Sequence, residues 1–328
     1  MITATQTLVP LAAFVLTVLG TGGALRWLER RRVLDRPNAR SSHTRATPRG
    51  GGLALVPVLV VAWWATPGAG DTGLVAVCLL ALALAGLSFV DDLRGLPAVL
   101  RLFAQTVAVV LALSAMPDVG AYISDALPRS VDLALAGVIW IWFINLFNFM
   151  DGIDGISGVE TMVIGGGVAL VAAVAGLDGS WAIHGLTAAT AAAGFLCWNW
   201  APARLFLGDV GSVALGFLLG WLLLSLSARG LGAAALILPA YYLADATLTL
   251  ARRLARGESP LRAHKEHAYQ RAVAAGWSHA GVSALVGLGG LGLVGAAWVS
   301  VARPVAGLVL GAIVTGGLLA LLGRGRAP

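Results

Sequence analysis

Two acidic clusters stand at the ends of apolar segments and could take part in chemistry. "SFVDDLRGL" holds the adjacent Asp91 and Asp92, and "NLFNFMDGIDGISG" holds Asp151 and Asp154. Adjacent carboxylates repel each other, so a cationic group usually compensates them. Mg²⁺ is suited to this because it takes carboxylate and phosphate oxygens together. For the first pair alone, a solvated acidic turn with Arg94 as its partner is an equally good interpretation.

The second cluster has a spacing that favours function over packing. Asp151 and Asp154 are three residues apart, so in a helical turn they share one face. Asn145 and Asn148 repeat this spacing one turn earlier, within apolar surroundings. Polar groups at membrane depth are costly and indicate function by default. The alternative is a set of helix-packing and loop-capping residues.

A third polar segment, "WNWAPARLFLGDVGS", contains Asn199, Phe206 and Asp209. Asp209 stands between two glycines just before an apolar run, where an N-cap is an equally simple explanation. Phe206 on its own fits a lipid-facing or core position as well as a base-stacking one. The segment therefore indicates a functional site only together with the other acidic motifs.

Two basic segments complete the polar motifs. "RRLARGESPLRAHKEHAYQR" contains Arg262, His264 and His267, and "RSSHTRATPRGGGLALV" contains Arg45. Arg and His form a natural clamp for a phosphate or diphosphate. Two His without a third nearby ligand do not indicate a zinc site. The alternative for both segments is an ordinary cytoplasmic loop rich in positive charge.

The composition indicates which elements must position these motifs. The chain has 328 residues, of which 58% are hydrophobic and 12% charged, with a mean hydropathy of +0.86. Soluble domains carry about 25% charged residues, so we expect an all-α polytopic integral membrane protein, residues 1–328 forming one domain. Eleven apolar runs are predicted to span the bilayer as helices: 8–28, 51–66, 72–90, 98–116, 131–148, 158–177, 181–199, 211–227, 231–250, 279–300 and 303–322.

The distribution of charge predicts the orientation in the membrane. Nearly all Lys and Arg residues fall in alternate loops, and the exceptions are Arg129, Arg229 and Arg303. The positive-inside rule then places the N-terminus outside and the C-terminus in the cytoplasm. The acidic and His motifs all lie at cytoplasmic span ends, so we expect a cytoplasm-facing cleft. The net charge of +6 follows from this topology and does not indicate nucleic-acid binding.

Taken together, the motifs resemble a known family. "TPRGGG", "DDLRGL", "NFMDGIDG", "FLGDVGS" and "HKEHAYQR" are similar, in family order, to those of the polyprenyl-phosphate N-acetylhexosamine-1-phosphate transferases, glycosyltransferase family 4. The resemblance implies transfer of a sugar 1-phosphate from a UDP-N-acetylhexosamine to undecaprenyl phosphate at the bacterial plasma membrane, with release of UMP. It implies the first step of O-antigen or other cell-envelope glycan synthesis. Glycine-rich spans also permit a homodimer.

The resemblance also assigns roles by motif position. It implies catalytic carboxylates at Asp91 and Asp92, and ligands of Mg²⁺ or Mn²⁺ at Asp209 and Asp154. It implies nucleotide-sugar contacts at Asn148, Asp151, Asn199, Phe206 and Arg45. It implies diphosphate or substrate contacts at Arg101, Arg262, His264 and His267. The last loop reads "HKEH" where the muramoyl-pentapeptide transferases carry consecutive His, which argues against a pentapeptide substrate; the donor sugar stays open among N-acetylglucosamine and its 6-deoxy relatives.

Rival functions fit the sequence less well. A transporter would also carry membrane carboxylates, but near the bilayer midplane and with repeat symmetry. Here the acids lie at span ends, and the halves show no convincing repeat. A scaffolding protein leaves the glycine-flanked acids without a purpose. The alcohol phosphotransferases require a motif with an Ala-Arg pair, which "DGIDGISG" lacks.

Overall fold

The computed structural model describes residues 4–37, 45–66, 71–117, 119–259 and 264–324. Arg262, a predicted substrate contact, lies outside these residues. Within them the chain forms helices joined by short loops and one small hairpin. The helices are α1 (Ala4–Arg31), α2 (Gly52–Trp64), α3 (Thr72–Arg94), α4 (Ala98–Ala115), α5 (Arg129–Met150), α6 (Ile156–Val174), α7 (Gly179–Asn199), α8 (Asp209–Leu226), α9 (Gly232–Ile237), α10 (Ala240–Ala255), α11 (Ala268–Ala274), α12 (His279–Ala302) and α13 (Pro304–Leu322). The antiparallel hairpin pairs β1 (Leu34–Asp35) with β2 (Thr47–Pro48).

These helices confirm the predicted all-α, multi-pass membrane architecture. Eight helical segments in the described chain are long and apolar enough to cross a bilayer. They are Leu8–Arg31, Thr72–Arg94, Ala98–Ala115, Arg129–Met150, Ile156–Val174, Asp209–Ile237, His279–Ala302 and Pro304–Leu322. The count of eleven spans stays a prediction, because α2 has only 13 residues, or roughly 20 Å of helix.

The span predicted at 231–250 is interrupted. A π-helical turn at Ser227–Leu231 follows α8, and α9 ends at Ile237. Pro239 then precedes α10. Because proline has no backbone N–H and clashes with the preceding turn, it ends or bends a helix. The apolar run is therefore divided between two helices.

Helix α8 forms the centre of the bundle. All of its residues from Val210 to Leu226 are buried, and it packs against α2, α3, α5 and α6. A helix that is buried on every side is apolar all round, as this one is. Glycine lets α5 approach closely, because a Cβ on Gly220 would lie 2.4 Å from Cδ1 of Trp140. The Trp140 indole N–H also donates to the Phe217 carbonyl at 2.9 Å.

Candidate active site

The N-terminus of α8 is capped by a carboxylate from another helix. Asp92, in the last turn of α3, accepts the backbone N–H groups of Asp209 and Val210, both at 3.2 Å. The first N–H groups of a helix lack partners within it and favour negative charge nearby. Gly208 has φ +75°, and a Cβ there would lie 2.8 Å from Oδ2 of Asp92. The end of α3 and the start of α8 are therefore held in one fixed arrangement.

The glycine-rich loop before α2 lies directly on this junction. The Gly51 N–H donates to the Phe206 carbonyl at 2.8 Å, and Arg49 forms a parallel bridge with Phe206. A Cβ on Gly52 would lie 2.3 Å from Cα of Gly211. The loop can approach α8 this closely only with glycine at that position. As a result, the Arg49 side chain reaches the acidic residues.

Two arginines hold three carboxylates together. Nη2 of Arg49 lies 2.8 Å from Oδ1 of Asp92 and 2.6 Å from Oδ1 of Asp209. Nη1 of Arg101 lies 2.9 Å from Oδ2 of Asp91 and 3.5 Å from Oδ2 of Asp209. We call Asp91, Asp92 and Asp209 the acid cluster. These residues come from α3 and α8, far apart in sequence, and the structure brings them together.

The acid cluster lies beneath its arginines. The Asp92 side chain is 1% exposed and that of Asp209 17%, whereas Arg49 is 32% and Arg101 39% exposed. Burial lowers the pKa of Arg49, but the charges of Asp209 and Asp92 outweigh it and raise that pKa overall. Arg49 is thus a permanent cation at the open side of the cluster. An anionic ligand that approaches from solvent meets the arginines first.

Asn148 and Asp151 approach the acid cluster from the end of α5. The Ser212 hydroxyl, in the first turns of α8, donates to Oδ1 of Asn148 at 2.7 Å. Asp151 forms a side-chain hydrogen bond with Ser157 and interacts electrostatically with Asp209. Burial, with a smaller contribution from Asp209, raises the pKa of Asp151 to about 7. Asp151 therefore exchanges its proton near neutral pH.

Asp154 makes contacts of a different kind. Its Oδ2 accepts the Ala203 N–H at 3.0 Å, and its Oδ1 lies 3.3 Å from Nδ1 of His279. Its backbone carbonyl accepts the Ser283 hydroxyl at 2.8 Å. These contacts tie the α5–α6 turn to the loop after α7 and to the start of α12. The metal-ligand role predicted for Asp154 stays a prediction.

Asn199 uses both ends of its amide to hold the backbone. Its Oδ1 accepts the Gly155 N–H at 3.0 Å, and its Nδ2 donates to the Leu205 carbonyl at 2.9 Å. The side chain is 5% exposed. Asn199 thus positions the loop that carries Phe206 and Asp209. Its predicted contact with the nucleotide sugar is not tested by these bonds.

The two histidines of the last loop lie together beside the α5–α6 turn. The rings of His264 and His267 are 4.9 Å apart, and Nδ1 of the buried His267 lies 3.6 Å from Oδ1 of Asp245. Burial and then the neighbouring His267 lower the pKa of His264 to about 4, so it is neutral at pH 7. The Tyr269 hydroxyl donates to the Phe149 carbonyl at 3.2 Å. The histidine motif is therefore held next to the segment that carries Asp151.

The basic residue at the centre of the site is one that sequence reasoning missed. The motif comparison selected Arg45, whose side chain is exposed; in the described chain it joins none of the ion pairs of the acid cluster. Arg49, in "TPRGGG", occupies the central position instead. The sequence feature that could have identified Arg49 is its position immediately before three glycines, which allow the loop to approach α8. Phe206 is half-buried, and its predicted role under a uracil stays a prediction.

The described residues hold no preformed metal cage. Among them, no group of three His, Cys, Asp or Glu side chains is arranged to bind a metal ion. The three carboxylates of the acid cluster are paired with arginines instead.

Known proteins share the segment that builds this site. A sequence profile described as glycosyl transferase family 4 matches residues 74–227, which run from α3 through α8. The matched segment of the chain is similar to glycosyl transferase family 4, and this confirms the resemblance predicted from the motifs. The match covers the acid cluster, Arg101 and the α5–α6 turn, whereas the glycine-rich loop and the histidine motif lie outside the matched residues.

Curated relatives extend over more of the chain. It is 28% identical to a decaprenyl-phosphate N-acetylglucosaminephosphotransferase of Mycobacterium tuberculosis (strain H37Rv), over 97% of this chain and 89% of the relative. It is 27% identical to a probable undecaprenyl-phosphate N-acetylglucosaminyl 1-phosphate transferase of Bacillus subtilis (strain 168), over 75% and 71%. It is 31% identical to a phospho-N-acetylmuramoyl-pentapeptide-transferase of Synechococcus sp. (strain RCC307), over 58% of each.

Proposed function

We propose that this protein transfers an N-acetylhexosamine 1-phosphate from a UDP-sugar to undecaprenyl phosphate. The observation that carries the proposal is the acid cluster, which lies at the start of α8 beneath Arg49 and Arg101. Relatives that align over most of the chain are named for transfer of this kind to polyprenyl phosphates. Such a reaction brings two phosphate-bearing substrates to one place, which requires fixed cations and a site for a divalent metal.

The reaction itself demands positioning more than covalent help from the protein. An oxygen of the lipid phosphate attacks the β-phosphorus of the UDP-sugar, and the bond from that phosphorus to the bridging oxygen breaks. UMP leaves with the bridging oxygen, and the polyprenyl-diphosphate sugar remains. Because the lipid phosphate is already an anion, the transfer depends chiefly on alignment and neutralised charge. Arg49 and Arg101 are placed to pair with these phosphates, while Asp91 or Asp92 orients the attacking group.

The residues of the acid cluster suit Mg²⁺, with Mn²⁺ as its substitute. Mg²⁺ is bound in such sites through one or two carboxylates together with substrate phosphates, so a three-ligand cage is not required. Asp209 is the residue that would hold it, because it is the most exposed carboxylate of the cluster. When bound, the metal would neutralise charge on the diphosphate.

The proposed site is cytoplasmic and the protein lies in the bacterial inner membrane. The positive-inside distribution of Lys and Arg supports this orientation. A lipid substrate could then enter sideways from the inner leaflet and present its phosphate at the interface. The product would start O-antigen or another cell-envelope glycan. The neutral His264, held beside the α5–α6 turn, is suited to hydrogen bonding with the sugar or diphosphate.

The first experiment measures UMP release by purified protein with undecaprenyl phosphate, Mg²⁺ and a panel of UDP-sugars. Each active sugar is repeated with EDTA and with Asp209→Asn. Release from one sugar that is lost in both controls would support the transferase and identify its donor. Release without the lipid would contradict the proposed acceptor. If folded protein released no UMP with any UDP-sugar of the panel, transfer from those donors would be contradicted.

A further inference from the structure

A cavity of about 230 Å³ lies at the opposite end of the bundle from the acid cluster. Helix α3 runs from its cap Asp71, at this cavity, to Asp91 and Asp92 at its other end. Helix α8 likewise starts at the acid cluster and ends here. We call this cavity the distal pocket, and the residues that line it include Asp71, Asp178, Trp181, His184, Ser225 and Arg229. The two sites are therefore on opposite membrane faces.

The floor of the distal pocket contains buried polar atoms that lack partners. His184 is 4% exposed, and its Nε2 is 2.8 Å from the Thr66 hydroxyl. Its Nδ1, however, has no hydrogen-bond partner among the described residues, and neither does Oγ of Ser225, which is 1% exposed. Each such atom costs about 1–3 kcal/mol when it stays unsatisfied. Two such atoms beside one cavity favour its occupation by hydrogen-bonding groups, either of ordered water or of a ligand with hydroxyl or amide groups.

The wall of the distal pocket is aromatic and its mouth is charged. Trp181 lies 5.3 Å from the Trp221 ring, and the Arg229 guanidinium lies 4.0 Å from the Trp181 centroid. Nη1 of Arg229 donates to the Ser225 carbonyl at 2.8 Å, which holds the guanidinium in place. Asp71 and Asp178 are exposed and cap α3 and α7. A carboxylate that caps a helix still has lone pairs available for a ligand.

We propose that the distal pocket binds a neutral pyranose sugar. Its hydroxyl groups both donate and accept, which matches two carboxylates, one guanidinium and the unpartnered atoms of His184 and Ser225. The Arg229 guanidinium covers one face of the Trp181 ring, so the apolar face of the sugar would pack on the aromatic wall that Trp181 and Trp221 form together. Sugar binding in the distal pocket does not depend on the proposed transfer reaction.

Other ligand classes match the lining less well. The described residues offer no group of three metal-binding side chains. An anion would meet Asp71 and Asp178 with only Arg229 to attract it. An ammonium headgroup would pair with the carboxylates but leave the donors and the buried floor atoms unmatched. A sugar is the class that uses every part of the pocket.

The test uses full-length protein in a detergent without a sugar headgroup, because a maltoside could occupy the pocket. Saturation-transfer NMR follows the binding of methyl N-acetyl-β-D-glucosaminide. We expect a saturable signal that Ser225→Leu abolishes, because leucine would fill the floor. Ser225→Ala removes only an unpartnered hydroxyl and should weaken binding about three- to tenfold. Asp71→Asn and Asp178→Asn should also weaken binding, and asparagine keeps both helix caps.

The matched control is Thr187→Val. Thr187 is also on α7, buried, and has an unpartnered hydroxyl, but it is not among the residues that line the distal pocket. Sugar binding should be unchanged in this variant. Three results would overturn the proposal: no saturable signal, binding that survives in Ser225→Leu, or binding lost in Asp209→Asn instead. Saturable binding of phosphoethanolamine without binding of the sugar would identify a lipid headgroup site and overturn it as well.

Discussion

Arg49 lies between the carboxylates of Asp92 and Asp209, so its removal should affect both charge balance and substrate binding. With Arg49→Ala we expect UMP release to fall about 10²-fold or more, the range seen when one fixed group that stabilises developing charge is lost. Arg49→Lys should recover only part of the activity, because its single ammonium nitrogen can replace Nη2 between Asp92 and Asp209 but leaves no second nitrogen for a substrate phosphate. Arg36→Ala, an exposed arginine after β1, is the control and should retain activity. Equal activity of Arg49→Ala and the control would contradict the central role of Arg49.

Asp151 should make stability depend on pH in an unusual direction. Its pKa is about 7 in the folded protein against about 3.9 for an unperturbed Asp. Between these pH values the folded state binds a proton that the unfolded state lacks, so stability falls as pH rises through this window and is level above it. The upper limit is about 4 kcal/mol, since one pKa unit corresponds to about 1.4 kcal/mol.

Thermal unfolding from pH 5 to pH 8 without divalent cations tests this expectation. In the Asp151→Asn variant, thermal stability should fall less steeply between pH 5 and pH 8 than it does in the native protein. The control is Asp178→Asn, because the hydrogen bonds of Asp178 with Ser180 lower the pKa of that carboxyl. The stability that Asp178 contributes is lost only as pH falls into the acidic range, so its variant should keep the native slope. A native curve that is level from pH 5 to pH 8 would contradict the assignment.

At the scale of elements, the site depends on the junction between α3 and α8. At Gly208 φ is +75°, and an added Cβ would lie 2.8 Å from Oδ2 of Asp92. At Gly176 φ is +68°, and an added Cβ would have no heavy atom within 4 Å. Gly176→Ala should lose about 1–2 kcal/mol from its positive φ, and Gly208→Ala should lose up to about 3 kcal/mol, because its ψ of 166° lies in a region essentially restricted to glycine. Only Gly208→Ala should also displace Asp92, so UMP release per folded protein should fall at least tenfold in that variant alone. Similar specific activities of the two variants would show that the junction tolerates the displacement.

The helices could be predicted from sequence, whereas the contacts between their ends could not. An apolar run of sufficient length must be helical in a bilayer, because lipid offers no partner for backbone groups. That rule located the long apolar helices, apart from the break near Pro239, but not the short helix α11. It says nothing about the bridge between Arg49 and Phe206, which brings Arg49 rather than Arg45 to the acids. Nor does it show that Asn199 binds backbone, because that depends on how two distant loops meet.

At the scale of the whole molecule, the two ends of the bundle should face different compartments. The acid cluster and the basic loops lie at one end, and the loop between α4 and α5 lies at the other. Ala126 and Ala275 are exposed alanines in loops at these opposite ends, so Ala126→Cys and Ala275→Cys form a matched pair. Cys197 is exposed and would be replaced by Ala, whereas Cys78 is buried.

A membrane-impermeant maleimide applied to right-side-out vesicles distinguishes the two orientations. We expect Ala126→Cys to be labelled at once and Ala275→Cys only after permeabilisation, because the positive-inside rule places the basic end in the cytoplasm. The reverse pattern would place the acid cluster outside, away from a cytoplasmic pool of UDP-sugar. It would then contradict the proposed donor even if the carboxylates proved essential. Orientation is therefore a test of the reaction as well as of the topology.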